Sequence, residues 1–188
     1  EASALRLESL ETLQYGAAPI ELDTLRAALA ALPGVRFVQI FGQTEGSPIT
    51  CLTQADHLRA ARGEERLLGT VGRAADGVEL RIDSPDANGI GEVWARAPHL
   101  FQPAADGWLH TGDLGSLDAE GYLTLAGRRG DMIIRGGENV YPLEVERALE
   151  EHPAVLNSAV IGVADRLLGQ KIRAYLVLER GAVPPDAG

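Results

Sequence analysis

The 188-residue chain is 45 % hydrophobic and 23 % charged, enough to bury a core and too short for more than two ordinary domains. Its net charge of −10 repels nucleic acid and acidic membrane surfaces, so neither is an expected partner, and any anionic ligand must be held by local groups. Cys51 is the single cysteine, which excludes an internal disulfide framework or a cysteine zinc cluster and fits a reducing, cytoplasmic setting. No apolar run reaches the length of a membrane span, and the opening "EASALRLESLE" lacks the basic start and apolar middle of a signal peptide. The first residue is Glu1 and not methionine, so the chain is expected to be a piece of something longer.

Residues 1–55 read as the end of an α/β region. Leu22, Leu25, Ala28, Leu29 and Leu32 recur at helical spacing, Asp23 supplies an acidic first turn, and Pro33-Gly34 ends the helix before a strand, "VRFVQI". From residues 65 to 127 the pattern shifts to short alternating runs: "VELRI", with Val78, Leu80 and Ile82 on one face; "GEVWARA", with Val93, Ala95 and Ala97; and "GYLTLAG". Asn88-Gly89, Asp106-Gly107 and Asp118 to Gly121 mark turns between them, and the whole is expected to be a small antiparallel β-barrel subdomain.

Beyond Arg128 the order becomes strand, glycine turn, helix, strand, strand. Pro142 suits the first position of a helix striped with Val145, Ala148 and Leu149 and stopped by His152-Pro153. "AVLNSAVIGV" and "KIRAYLVLE" read as paired strands, the second alternating through Ile172, Ala174, Leu176 and Leu178. The fold class expected is therefore α+β in two domains, 1–129 and 130–188, the second small, mobile and incomplete. "GAVPPDAG" at the end reads as a loop cut short.

Three clusters carry candidate chemistry. In "QIFGQTEGSP" a strand runs into Gly42, Thr44 and Glu45, and a hydroxyl beside a carboxylate at the carboxyl end of a strand can hold a phosphate oxygen and its magnesium. A polar turn leaving a strand is the plainer alternative. In "WLHTGDLG", Asp113 is either a turn residue or a carboxylate that accepts hydrogen bonds from a vicinal diol such as ribose. In "GRRGDMIIRGGENVYP", four glycines surround a four-residue core, more backbone freedom than a single turn requires, and Arg128 and Arg129 are otherwise a solvated pair.

The wording and order of these segments resemble the adenylate-forming superfamily: acyl-CoA synthetases, nonribosomal peptide adenylation domains and firefly-type luciferases. "LQYGAAPI" is similar to the glycine-alanine-proline loop of that family, "FGQTEGSP" to its aromatic-glycine-x-Thr-Glu motif, "GTVGRAADGVELRI" and "GIGEVWARAP" to the strands that follow, "GWLHTGDLG" to its ribose motif, and "GRRGDMIIRGGENVYPLEVE" to its hinge and the start of its mobile C-terminal domain. The resemblance implies that Gly16, Ala17 and Ala18 line the adenine and acyl pocket, that Phe41 stacks on adenine beside Gly42, that Thr44 touches phosphate and that Glu45 holds magnesium. Asp113 and Arg128 would hold the ribose hydroxyls, Gly130 would be the hinge, and Gly136, Gly137 and Glu138 would face coenzyme A.

The implied cofactors are ATP, Mg2+ and coenzyme A, and the implied partner is a carboxylic acid, converted first to acyl-adenylate and then to thioester as the C-terminal domain swings. "GGENVYPLEVE" is closer to acyl-CoA synthetase wording than to peptide-synthetase wording, and "GQTEGSP" leans toward fatty or alicyclic acyl substrates.

The departures are specific. A Ser/Thr/Gly-rich loop with a phosphate-binding lysine is absent from the sequence, so a missing N-terminal part of the same enzyme is expected to supply it, and the 188 residues alone are not expected to make acyl-adenylate. Lys171, the single lysine, falls on an expected strand and reads as a surface residue, not as the family's C-terminal catalytic lysine. The loop between Leu100 and Trp108 is short, and Gly130 stands where an Asp or Lys hinge is usual. A carrier-loading adenylation domain, a non-catalytic descendant acting as a binding module, and a generic α+β interaction domain are the rival readings. Trp94 and Trp108 are expected to fill the barrel, His110 to neighbour Asp113, and Glu144, Glu146, Glu150 and Glu151 to form a solvated helix face, while the four histidines show no metal-ligand spacing.

Overall fold

The structure, a computed structural model, describes residues 7–18, 20–101 and 104–182. Contacts divide it into two compact units, Glu1–Thr111 with Gly115–Leu125, and Gly112–Leu114 with Ala126–Gly188. Residues 183–188 of the tail "GAVPPDAG" and residues 102–103 of the short loop after Leu100 lie outside the described residues.

In the first unit, β1 (Thr12–Gly16) and β2 (Arg36–Gln43) run parallel and are joined through α1 (Leu22–Ala31). The helix forms where the apolar spacing demands it: Leu25 is buried, with Ala28, Leu29 and Leu32 packed against the same core, and Pro33 follows the last turn. β3 (Gly46–Leu52) folds back antiparallel on β2, and β4 (Arg73–Ala74) completes a sheet of order β1-β2-β3-β4. Phe37 and Leu52 from this sheet meet Leu25, Leu67, Leu68 and Tyr122 in one cluster.

α2 (Gln54–Ala61), which the sequence reading omits, starts at a capping box: Thr53 Oγ1 accepts from the Asp56 amide while Asp56 Oδ2 accepts from the Thr53 amide. Two of the helix's orphan donors are thereby satisfied.

The second sheet holds β5 (Glu79–Asp83), β6 (Gly91–Arg96), β7 (Leu109–Leu117) and β8 (Leu123–Arg128), in the order β5-β6-β7-β8. It is an open sheet, which corrects the expected barrel; four strands are too few to close around an interior filled with side chains. The expected alternation holds, since Val93, Ala95, Ala97 and Leu109 are buried on one face. Trp94 and Trp108 do not fill that core. They stand on the other face in an alternating stack: Arg96 lies 4.6 Å over Trp108, Arg81 is 4.9 Å from Trp108 and 4.2 Å from Trp94, and His110 stacks on Trp94 at 3.7 Å. His110 pairs with Asp106 at 3.0 Å and stacks on Trp94.

In the second unit, β9 (Ile133–Arg135) and β10 (Glu138–Val140) form a hairpin whose two turn residues, Gly136 and Gly137, have φ of 61° and 92°. A two-residue turn with positive φ at both positions suits the twist of the flanking strands, and glycine enters it without steric cost. α3 (Pro142–Glu150) begins at Pro142 as expected, and β11 (Val155–Asp165) and β12 (Gly169–Leu178) pair antiparallel in a sheet of order β10-β9-β12-β11. Lys171 is exposed on β12.

Glu146 and Glu150 are not part of a solvated face. Glu146 Oε1 accepts from the Val160 amide at 2.7 Å, and Glu150 Oε1 accepts from the Ser158 amide at 2.8 Å and the Ser158 hydroxyl at 3.0 Å. Spaced i, i+4, the two carboxylates satisfy alternate outward amides of edge strand β11. Glu150→Ala should therefore lower the stability of the second unit by about 1 to 2 kcal/mol in urea unfolding, whereas the exposed Glu144→Ala should leave it unchanged.

Candidate functional site

β1 and β2 are adjacent and parallel, with Gly16 opposite Ile40, so the residues leaving both strands gather at one edge of the sheet. Gly16 ends β1 and Ala17 and Ala18 leave it, while Phe41 to Gln43 finish β2 and Thr44 and Glu45 follow it. The structure thus brings together two of the segments the sequence singled out. Gly16 has φ of 151°, and a β-carbon there would lie 2.1 Å from the Ile40 carbonyl oxygen. Ala17 follows with φ of 68°, a left-handed conformation that costs a non-glycine residue about 1 kcal/mol or more. A loop so bent persists because its surroundings hold it.

Part of that hold is beneath β1. His57 of α2 is buried; its Nδ1 lies 2.7 Å from the Thr53 carbonyl and its Nε2 lies 2.9 Å from the Tyr15 hydroxyl. A carbonyl accepts only, so Nδ1 carries the proton, and Nε2 accepts from Tyr15. Burial pushes the His57 pKa below its usual value, although the Thr53 bond and the charge of Asp56 oppose this, and burial raises that of Tyr15. On the next strand, Gln39 pairs with Tyr15 in register and is buried, and its Oε1 has no donor among the described residues.

At the end of β2, Thr44 and Glu45 form the exposed two-residue turn of the β2–β3 hairpin. The polar-turn reading is thus correct as local structure, and it leaves both side chains accessible. The turn is fixed on both sides: the Glu45 carbonyl accepts from the Phe101 amide at 2.7 Å, and Gln43 Nε2 donates to the Thr111 carbonyl at 2.7 Å. Opposite Gly42 the pairing register shifts, and a β-carbon on Gly42 would lie 2.6 Å from Ser47 Oγ. Phe41 is half-buried against Ile49, Val78 and Leu100 and their neighbours.

In the other unit, Arg128 Nε lies 3.3 Å from Asp113 Oδ1, with Asp113 largely buried and Arg128 exposed. The structure brings together these two sequence-singled residues as an ion pair. Arg129 is exposed, and its backbone amide donates to the Gly112 carbonyl at 2.8 Å. Gly130 lies in the turn after β8 without a positive φ, and a β-carbon there would meet nothing within 4 Å. The Gly136 amide donates to the Leu168 carbonyl at 2.8 Å, which joins the β9–β10 turn to the β11–β12 turn.

The sequence reading missed Tyr15, Asp56 and His57. Thr53-x-x-Asp56 is a legible helix-start pattern, and it would have placed His57 in the first turn of a helix. No local pattern signals that Tyr15 reaches His57, forty-two positions away.

Among the described residues no group of three or more His, Cys, Asp or Glu could hold a metal ion. Glu45 and Thr44 nonetheless fit magnesium arriving with a nucleotide, because that ion is bound through one or two carboxylates, with phosphate oxygens and waters completing its shell. No described helix is long and apolar enough to cross a membrane.

Two loops meet at the carboxyl ends of the adjacent parallel strands β1 and β2, within a mixed α+β fold in which β3 pairs antiparallel with β2 and β4 antiparallel with β3. The AMP-binding enzyme family matches residues 1–103 and the AMP-binding enzyme C-terminal domain matches residues 144–187, and the chain belongs to this family. It is 34 % identical to a 2-succinylbenzoate–CoA ligase of Bacillus cytotoxicus, over 90 % of this chain and 37 % of the relative. Among solved structures, the amide bond synthetase McbA from Marinactinospora thermotolerans superposes with a TM-score of 0.84 at 35 % identity, over 97 % of this chain and 39 % of that one. The o-succinylbenzoate CoA synthetase of Bacillus subtilis, in complex with its acyl-adenylate intermediate, gives 0.74 at 34 % identity, over 94 % and 38 %. The chain therefore spans less than two fifths of the length of each of these proteins.

Proposed function

We infer that these residues are part of an ATP-dependent enzyme that activates a carboxylic acid as its acyl-adenylate and passes the acyl group to coenzyme A. The observation that carries this reading is the convergence of Gly16–Ala18 and Phe41–Glu45 at one sheet edge, where α/β folds take nucleotides. Phe41 offers an aromatic face for adenine, and the exposed Thr44 hydroxyl and Glu45 carboxylate are free of the core. In the reaction, the substrate carboxylate attacks the α-phosphorus of ATP, the bond to the pyrophosphate oxygen breaks, and the coenzyme A thiol later displaces AMP. Glu45 and Thr44 would hold the magnesium that accompanies ATP, whose contribution is to neutralise phosphate charge. Asp113 would accept hydrogen bonds from the ribose hydroxyls, with Arg128 beside it. Gly130, with open space around it, is the proposed pivot, and Gly136, Gly137 and Glu138 the proposed contact for coenzyme A.

The likeness to an amide bond synthetase supports a second reading of the last step alone, with an amine in place of the thiol. Product analysis with each acceptor separates the two.

The test is made on the full-length enzyme carrying this chain. Glu45→Gln keeps the size and removes the charge, so acid-dependent pyrophosphate exchange should fall about tenfold or more and its magnesium midpoint should rise, as expected for one lost charge-assisted interaction. An unchanged magnesium titration would remove Glu45 from the site. If the parent enzyme shows no acid-dependent exchange, the adenylation reading is wrong.

A further inference from the structure

We propose that His57, in its neutral form and acting through Tyr15, is the positioning residue that sets the Gly16–Ala18 loop, and that its protonation releases the loop. The assignment of that loop to a nucleotide and acyl pocket rests on the function proposed above; the positional claim does not.

The argument begins at the strand end. The loop after β1 departs from relaxed geometry twice in succession, at Gly16 with φ of 151° and at Ala17 with φ of 68°. Tyr15 is the last side chain before that bend, and its hydroxyl donates to a buried imidazole 2.9 Å away on another element. That imidazole is pinned at its other nitrogen, where Nδ1–H donates to the Thr53 carbonyl at 2.7 Å, so the ring cannot turn without losing a bond. Thr53 is itself locked in the capping box of α2. The chain of hydrogen bonds runs from a helix start, through one imidazole, to the residue that launches the loop.

Protonation changes the roles of the partners. The imidazolium has donors at both nitrogens and no acceptor, so Nε2–H then faces the Tyr15 O–H where a lone pair had been. Either the phenol turns its proton away or the strand end moves. The groups facing His57 define how readily this happens. Tyr15 from β1 is a neutral phenol at all relevant pH, because burial raises its pKa; Phe37 from β2 presents a ring tilted at 43° with its centroid 6.1 Å away; Asp56 from α2 supplies the one opposing charge, and it is committed to Thr53 and to the Tyr122 hydroxyl. Burial is the larger influence and favours the neutral ring. Since the folded pKa lies below the unfolded value, the stabilisation is present above the ordinary imidazole range and is lost as pH falls through the folded value.

The experiment uses the 188-residue chain without nucleotide. Imidazole NMR follows the His57 titration, and amide exchange gives the protection factor at Tyr15 on both sides of it. In the wild type, protection at this amide should drop about tenfold on the acid side, the equivalent of one buried hydrogen bond. Tyr15→Phe should show the low protection at every pH, while His57→Gln, whose side-chain carbonyl can still accept from Tyr15, should show the high protection at every pH. Protection that is flat through the wild-type His57 titration, a pH-dependent drop that persists in Tyr15→Phe, or a loss spread equally over β11 and β12 would each overturn the proposal. A parallel AMP titration of the wild type and Tyr15→Phe reports on the nucleotide reading separately, since the loop result stands or falls without it.

Discussion

Gly16→Ala should destabilise the first unit by about 3 kcal/mol or more and displace the carboxyl end of β1 from β2. Two penalties add. The new β-carbon would have to occupy a point 2.1 Å from the Ile40 carbonyl oxygen and 3.2 Å from its carbon, and both belong to backbone that is paired in the sheet and cannot turn aside as a side chain can. The φ of 151° is in addition a region that residues with a β-carbon avoid. Urea unfolding followed by the fluorescence of Trp94 and Trp108 measures the cost. Were Gly16 present only to let a ligand approach, the alanine variant would unfold at the wild-type midpoint and lose nucleotide affinity alone. Ala17→Gly is the companion, and it should be neutral or slightly stabilising, because it removes a left-handed alanine from the same bend.

Asp56→Ala should cost about 3 to 5 kcal/mol and flatten part of the acid limb of the stability profile. The Asp56 carboxylate is buried and accepts from the Tyr122 hydroxyl at 2.5 Å, from the Thr53 amide at 2.8 Å and from the Thr53 hydroxyl at 2.7 Å. Tyr122 is itself fully buried, so removing the acceptor strands its hydroxyl. It also removes the anion in the midst of Arg59, Arg66 and Arg73, which gather within 6 Å of the Tyr122 ring centroid. Burial alone would raise the Asp56 pKa, and the three hydrogen bonds with the charge of Arg73 more than offset it, so the folded value lies below the ordinary one. Stability from Asp56 is thus complete above the unfolded carboxylate pKa and is lost as pH falls through the lower folded value. The wild type should lose stability below about pH 4, and the variant should lose less over the same interval. Tyr122→Phe, which keeps the ring, should cost about 1 kcal/mol. A variant that melts like the wild type would show that water satisfies Tyr122 as well as Asp56 does.

Elements set by short-range pattern were legible in the sequence. The apolar spacing of α1, Pro142 at the start of α3, and the β11–β12 pair follow from periodicity and from residues with fixed backbone preferences. The candidate Thr44 and Glu45 were legible because a β-turn concentrates polar residues, yet the same pattern could not show that the turn closes a hairpin pinned by Phe101 and Thr111. What failed did so where the answer depends on distant chain. Trp94 and Trp108 read as core residues by their type, but arginines 81 and 96 give them partners on the open face of the sheet. Glu146 and Glu150 read as solvated by their charge, but β11 returns beside them and offers amides. Tyr15 and His57 carry no local sign of each other at all.

The carboxylates of α3 also bear on what the second unit does with its sheet edges. An uncovered strand edge is a template onto which another chain can add a strand, and growth from such edges leads to aggregation. At one edge, β11 spends the amides of Ser158 and Val160 on Glu150 and Glu146, so an incoming strand finds those donors taken and two negative charges in its path. At the other edge, β10 spans only Glu138–Val140, too short a rail to dock a stable strand. Glu146→Ala combined with Glu150→Ala would free the edge amides of Ser158 and Val160 together, and self-association, more than unfolding, becomes the hazard that the helix guards against.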